Sequence, residues 1–230
     1  MSPPDRRPGL LASVATQAEV ELALAQGVDL IDLKDPLAGA LGAWPMAELC
    51  QAVRRVAGRR PVSATVGDLP PEAATLTAAA RATAATGVDI VKLGFFAGGD
   101  HRALAAALAP VAADGVRLVA VLMADQDPDL ALPATLAAAG FHGAMLDTAD
   151  KAAGHLLRHL PLPVLGRFVA DAKAHGLLTG LAGSLRPVDI AALAPLGPDF
   201  LGFRGALCSG GRTSAIDPGL LAQLMSDLGL

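Results

Sequence analysis

The chain has 230 residues, 53% of them hydrophobic, and a formal net charge of −4. That length suits a single α/β barrel of about 250 residues, the apolar content excludes a disordered chain, and the negative charge excludes a general attraction to nucleic acid or anionic membranes. Cys50 and Cys208 are too few for a disulfide scaffold, no run approaches the roughly 20 apolar residues of a membrane span, and the opening MSPPDRRPGLLASVA is too weakly apolar for a signal peptide, so a soluble, cytoplasmic protein is expected.

Short apolar runs alternate with longer Ala/Leu-rich amphipathic segments along the chain. A strand over Leu10–Ala15 leads into a helix over Thr16–Gln26, and Asp29–Lys34 into Pro45–Ala57. Val62–Asp68 leads into Pro71–Thr86, Asp89–Gly94 into Asp100–Ala113, and Arg117–Asp125 into Pro128–Ala139. The last three units pair Gly143–Thr148 with Leu162–His175, Leu178–Ser184 with Pro187–Leu196, and Phe200–Leu207 with Pro218–Leu228. Gly27, Gly58, Gly87, Gly140 and Gly176 follow helical runs, where a left-handed cap is favoured. Eight units with no intervening linker predict an α/β fold, a (β/α)8 TIM barrel forming one domain over residues 1–230; a flavodoxin-like sheet would use fewer strands. The strand openings in AQGVDLIDL, ATGVDIVKL and LGPDFLGF repeat one local design.

Four of the eighteen basic residues are lysines, and Lys34 and Lys92 close the matching runs DLIDLK and DIVKLG. An amine can lose its proton and attack a carbonyl, which arginine cannot do. Side chains alternate along a strand, so Leu30, Asp32 and Lys34 share the barrel interior, as do Ile90, Lys92 and Gly94, and also Met145 and Asp147. Asp32, Lys34, Lys92 and Asp147 thus gather near the C-terminal ends of alternate strands, the face where such barrels keep their chemistry. Lys151, in MLDTADK, lies within reach if its loop folds over the pocket; Lys173 reads as surface.

After the seventh and eighth strands, LAGSL and GFRGALCSGGR offer a phosphate site: Gly183, Ser184, Gly205, Gly210 and Gly211 for close backbone approach, with Arg204 or Arg212 for charge. Ser63, Thr65 and Asp68, in SATVGD, stand ready to hydrogen-bond a second substrate. His155 and His159 have helical spacing without a third ligand, so no metal is expected. Neither a Walker loop nor GxGxxG follows a strand, so no cofactor is expected. The pairs Arg6-Arg7, Arg54-Arg55 and Arg59-Arg60 lack interleaved aromatics and read as surface, against nucleic-acid partners. Apolar outer-helix positions leave a homo-oligomer open.

Together, DLIDLKDPLAGALGAW, PVSATVGD, DIVKLG, AMLDTADK, LAGS and GFRGALCSGG resemble the (5-formylfuran-3-yl)methyl phosphate synthase (4-HFC-P synthase) family over nearly the whole chain. The resemblance implies a lyase of methanofuran-type C1 carrier biosynthesis that joins two molecules of glyceraldehyde 3-phosphate with loss of phosphate and water. It assigns Lys34 as the Schiff-base residue and Lys92 as the proton-transferring lysine, with Asp32, Asp147 and Lys151 as the remaining active-site positions. The expected order is imine formation, deprotonation, and attack of the enamine on the second aldehyde. Asp35 stands where the archaeal members commonly carry Asn. A rival reading is a phosphate-binding-barrel decarboxylase or aldolase that uses Asp32-Leu33-Lys34 as a noncovalent Asp-x-Lys pair on another sugar phosphate; a sugar-phosphate-binding module without catalysis is another.

Overall fold

A computed structural model describes residues 7–230; of the basic residues above, Arg6 lies outside them. The described residues form eight parallel strands closed in chain order: β1 (Gly9–Val14), β2 (Leu30–Leu33), β3 (Val62–Thr65), β4 (Ile90–Phe95), β5 (Leu118–Met123), β6 (Gly143–Asp147), β7 (Leu178–Leu181) and β8 (Phe200–Phe203). Around them run α1 (Gln17–Gln26), α2 (Met46–Val56), α3 (Ala73–Ala84), α4 (His101–Ala113), α5 (Pro133–Ala138), α6 (Leu156–His159), α7 (Leu162–Ala174), α8 (Ile190–Leu193) and α9 (Pro218–Asp227). This is the expected (β/α)8 barrel.

The differences from expectation have local causes. The helix expected over Pro187–Leu196 is only α8, flanked by 3-10 turns at Pro187–Asp189 and Ala194–Leu196, because Pro187 and Pro195 cannot donate to an α-helical ladder. The strand expected to reach Leu207 ends at Phe203 and gives way to a 3-10 turn over Gly205–Leu207. Gly27 caps α1 in the left-handed region, at φ 80°, as expected, whereas α2 is capped by Ala57 (φ 50°) in place of Gly58.

Alternation sorts the core into two layers. Leu11, Leu30, Ile90, Val119, Val121 and Met145 fill the barrel interior. Ile31, Leu33, Val91, Leu93, Ala144 and Leu146 pack outward against the helices. The repeated Gly-Val-Asp and Gly-Pro-Asp openings have a mechanical role at the base of the barrel. Each carboxylate accepts an N–H near the start of a neighbouring strand: Asp29 from Leu10, Asp89 from Val62 and Asp199 from Thr179, each at 2.8 Å.

At the other end, the loop joining β2 to α2 folds over the barrel mouth and inserts fully buried Leu41 into the interior cluster. Asp68, just past β3, holds it by accepting the N–H of Ala40 at 2.7 Å and of Leu41 at 2.6 Å. Gly39 passes so close that a Cβ there would lie 2.1 Å from Asp68 Oδ2, and its φ of 125° suits only glycine. Asp68→Ala strands two N–H groups and is expected to lower stability by about 1–3 kcal/mol. Thermal melting checks this; for a chain of this size the shift is roughly 2–4 °C per kcal/mol.

Candidate active site

Two buried ion pairs lie above the apolar interior cluster. Asp32 is fully buried and accepts three hydrogen bonds: Ser13 Oγ at 2.8 Å, Ser63 Oγ at 2.7 Å and Lys92 Nζ at 2.9 Å. The register explains the first two, since Asp32 pairs with Ser13 on β1 and with Ser63 on β3. Lys34 sits just beyond β2, its backbone N–H still bonded to Val14 O at 3.0 Å. Its Nζ lies 3.7 Å from Asp147 Oδ2 at the end of β6. Asp147 also accepts Lys151 Nζ and the N–H of Thr148. Lys151 is therefore folded over the pocket, donating to Thr148 O as well.

These contacts set the protonation states. Burial, the largest influence on Lys34, pulls its pKa down to about 8; the Lys151 and Lys92 charges pull the same way, against Asp147 and Asp32. For Asp147 burial works upward but is outweighed by the Lys151 and Lys34 charges and by hydrogen bonds from Lys151 and Thr148, which bring it to about 2. Burial also raises Asp32, and Lys92, Lys34 and Ser63 more than compensate. At neutral pH the site thus holds two carboxylates against three lysines, one of them close to losing its proton.

Lys34, Lys92, Asp147 and Lys151 line a cavity of about 300 Å³ at the barrel mouth, with Gly183, Ser184, Arg186, Gly205 and Arg212 in its walls. Gly202 on β8 leaves part of one wall without a side chain. Ser184 has φ 50°, a left-handed conformation uncommon for a non-glycine residue, and the preceding Gly183 has φ 111°. Backbone strain of this kind clusters at ligand sites.

The matched sequence model of the 4-HFC-P synthase family spans residues 10–225. The chain belongs to the 4-HFC-P synthase family. A (5-formylfuran-3-yl)methyl phosphate synthase of Methanopyrus kandleri is 37% identical over 89% of this chain and 91% of its own length. That of Methanosarcina acetivorans is 31% identical over 95% and 98%. A Methylorubrum extorquens protein provisionally given the same name is 47% identical over 94% and 90%. Among solved structures, phosphoribosyl anthranilate isomerase from Thermus thermophilus superposes with a TM-score of 0.64 at 14% identity, covering 96% of this chain and 98% of that one. A 3-hexulose-6-phosphate synthase gives 0.61 at 20%, covering 94% and 99%. At such identities these two establish only the fold.

The expected site residues fall into two groups. Lys34, Lys92, Asp147, Lys151, Gly183, Ser184 and Gly205 reach the cavity wall. Asp32 and Ser63 lie beneath it, and Thr65 donates to Gly42 O at 2.9 Å in the covering loop. Asp68 holds that same loop, so Ser63, Thr65 and Asp68 position other groups and do not line the cavity. Gly210 and Gly211 also lie off the cavity wall, in a turn fastened by the Ser214 hydroxyl.

Arg204 borders the cavity, but its donors are committed elsewhere. Nε donates to Arg212 O, Nη1 to Ser13 O and Glu19, and Nη2 to Glu19 and Ser214 O. It is a buried clamp between β8, α1 and the last loop, which corrects its expected role as a phosphate ligand. Arg212, the other arginine singled out from the sequence, and Arg186 also line the cavity and keep donors free. Glu19, Ser13 and Arg186 were not foreseen. A signal existed for Glu19: Thr16-Gln17-Ala18-Glu19 has the spacing of a capping box, with Thr16 Oγ1 accepting the Glu19 N–H, while the Glu19 carboxylate reaches Ala15 N and Arg204. His155 stands at the N-terminal boundary of the short α6, with Nδ1 3.7 Å from Asp189 Oδ2.

Proposed function

We propose that this synthase joins two molecules of glyceraldehyde 3-phosphate into (5-formylfuran-3-yl)methyl phosphate through an imine on Lys34, in the making of a methanofuran-type C1 carrier. The observation that carries the reading is Lys34 itself: a buried amine brought to a pKa of about 8 at the wall of a cavity. Family membership supports the product. The balance is two trioses to one furan, one phosphate and two waters, with no net oxidation, so no redox partner is needed.

The product's skeleton dictates more. Its formyl carbon and the two ring carbons that follow form one intact triose, which has lost its phosphate. The remaining ring carbons and the phosphate-bearing methylene form the other. The new bond therefore joins C3 of the first triose to C2 of the second, which reverses the expected attack of the enamine on an aldehyde.

In the first step the neutral Lys34 amine adds to the C1 aldehyde of the first triose and water leaves, giving an iminium whose positive charge faces Asp147. The C2 proton passes to Lys92 as the enamine forms, and the enamine's electron pair expels phosphate from C3, which takes a proton back from the wall. The resulting conjugated iminium is electrophilic at C3. The second triose, deprotonated at C2, attacks there with its enediolate. The C2 hydroxyl of the first triose then closes onto the second aldehyde, two waters leave, and hydrolysis frees Lys34.

Asp147, held near 2, is a weak base; its role is electrostatic, keeping the iminium and Lys151 in place. Lys92 and Lys151 are the groups on the wall suited to give protons to the departing phosphate and hydroxide. The Asp-x-Lys alternative loses support, because Asp32 pairs with Lys92 rather than Lys34 and lies fully buried below the cavity.

Incubation with glyceraldehyde 3-phosphate tests the reaction: the expected result is one inorganic phosphate released per furan aldehyde formed, read by phosphate assay and mass spectrometry. Phosphate release with methylglyoxal as the carbon product would contradict it. The pH profile tests the amine. With Lys34 titrating at about 8, kcat/KM is expected to rise about tenfold per pH unit below pH 8 and level off above it. A profile flat from pH 6 to 9 counts against an amine nucleophile. Stability has the matching sign. The folded-state pKa lies below 10.5, so burying the charged Lys34 costs stability in full below about pH 8, and that cost fades as pH rises from 8 toward 10.5.

A further inference from the structure

The reaction proposed above brings two phosphorylated trioses into one cavity, so two dianions need separate partners. The wall carries two guanidinium groups that keep donors free, and they are fastened by different elements, Arg186 within the loop after β7 and Arg212 across to the loop after β2. Arg212, on the β8–α9 loop, donates Nη2 to Gly39 O at 3.0 Å, which ties it to the loop that follows Lys34. Among the described residues its Nε and Nη1 meet no acceptor. It stands with Gly183, Ser184 and Gly205 at the turns after β7 and β8.

Arg186 is built differently. Its side chain is 57% exposed, yet it rests on an almost fully buried carboxylate, Asp189. Asp189 Oδ1 accepts Nη2 at 2.9 Å, and Oδ2 accepts the Arg186 backbone N–H at 2.9 Å and Nε at 3.3 Å. His155, four residues beyond Lys151, approaches the same carboxylate at 3.7 Å. An exposed arginine ordinarily gains little from a surface ion pair. Here three hydrogen bonds to one buried group fix both backbone and side chain, leaving Nη1 without an acceptor among the described residues. That is the arrangement of a preorganised anion contact at the cavity rim.

We infer that Arg186, mounted on Asp189, holds the phosphate of the second triose, and that Arg212 with the glycine turns holds the phosphate of the triose bound to Lys34. The inference rests on the two-triose reading. By the carbon connectivity above, the phosphate retained in the furan product belongs to the second triose. Arg186 is therefore also the product's phosphate contact, whereas released inorganic phosphate leaves from the Arg212 side.

The test uses Arg186→Gln, whose amide can still donate to Asp189, and Arg186→Lys, which keeps the charge. Borohydride trapping of the Lys34 adduct reports the first triose alone. Arg186→Gln is expected to leave the half-saturating triose concentration for trapping within twofold of the parent, while raising the KM for turnover at least about tenfold. It should weaken inhibition by the furan phosphate product by a similar factor and leave inhibition by inorganic phosphate unchanged. Arg186→Lys should recover part of both losses. Arg212→Gln should instead raise the half-saturation of trapping.

The inference is overturned if Arg186→Gln keeps KM and product inhibition within twofold, or if it weakens trapping as much as Arg212→Gln does. Absence of any trapped adduct in the parent enzyme is a failure of the imine reading. Arg186 is then judged by calorimetry on the folded Lys34→Arg protein with glyceraldehyde 3-phosphate: two bound trioses falling to one with Arg186→Gln support it, and an unchanged number overturns it.

Discussion

Replacing Lys34 with Arg is expected to lower turnover at least a thousandfold while the barrel stays folded. Arginine keeps the positive charge beside Asp147, 3.7 Å away in the parent protein, so the electrostatics of the floor survive. What disappears is the lone pair, since a guanidinium does not deprotonate near neutral pH. Nucleophilic residues acting through a covalent intermediate show losses of this order, roughly three or more decades, when they are replaced. Assay of furan formation with far-UV circular dichroism and a melting curve checks it. Retention of a tenth of the activity in a folded Lys34→Arg protein would show that no imine is needed.

The second large effect concerns the pair beneath the cavity. Lys92→Met leaves the fully buried Asp32 carboxylate hydrogen-bonded only by the Ser13 and Ser63 hydroxyls, with the Lys34 charge as its remaining cationic neighbour, and removing one partner of a buried pair costs about 3–5 kcal/mol. A fall in melting temperature of roughly 6–20 °C is expected for a chain of this size, together with a loss of turnover of about a hundredfold or more. The double variant Asp32→Asn/Lys92→Met removes both charges, so most of the stability should return while activity does not. Thermal melting and steady-state assay of both variants separate the structural role of the pair from the proton-transfer role proposed for Lys92. A single variant as stable as the parent, or an active double variant, contradicts this account.

Much of the barrel was legible because its signals are local. Alternation within DLIDLK and DIVKLG placed Asp32, Lys34 and Lys92 inward, and the core layers follow the same period. The repeated Gly-Val-Asp openings marked strand starts because each aspartate ties one strand to its neighbour. What alternation could not show was which polar group meets which. Asp32 lies two residues before Lys34 but is bonded to Lys92, sixty residues further on.

The same limit explains the phosphate loops. Arg204 carried the charge expected of a ligand, but its partner Glu19 lies 185 residues away in sequence, so nothing local betrayed that its donors were taken. Asp68 looked like a substrate contact because it ends a strand at the rim. It caps the N–H groups of Ala40 and Leu41, a need created only when the β2–α2 loop folds across the mouth. Arg186, which stands just before the helix expected over Pro187–Leu196 and was not singled out, is held at the cavity edge by Asp189 in the 3-10 turn that opens this segment.

Peptide mapping after borohydride reduction in the presence of glyceraldehyde 3-phosphate decides whether Lys34 is the nucleophile. A triose-derived mass is expected on the peptide containing Lys34 and is absent in Lys34→Arg. An adduct on Lys92 or Lys151 instead, or no adduct in protein that turns the triose over, would contradict it.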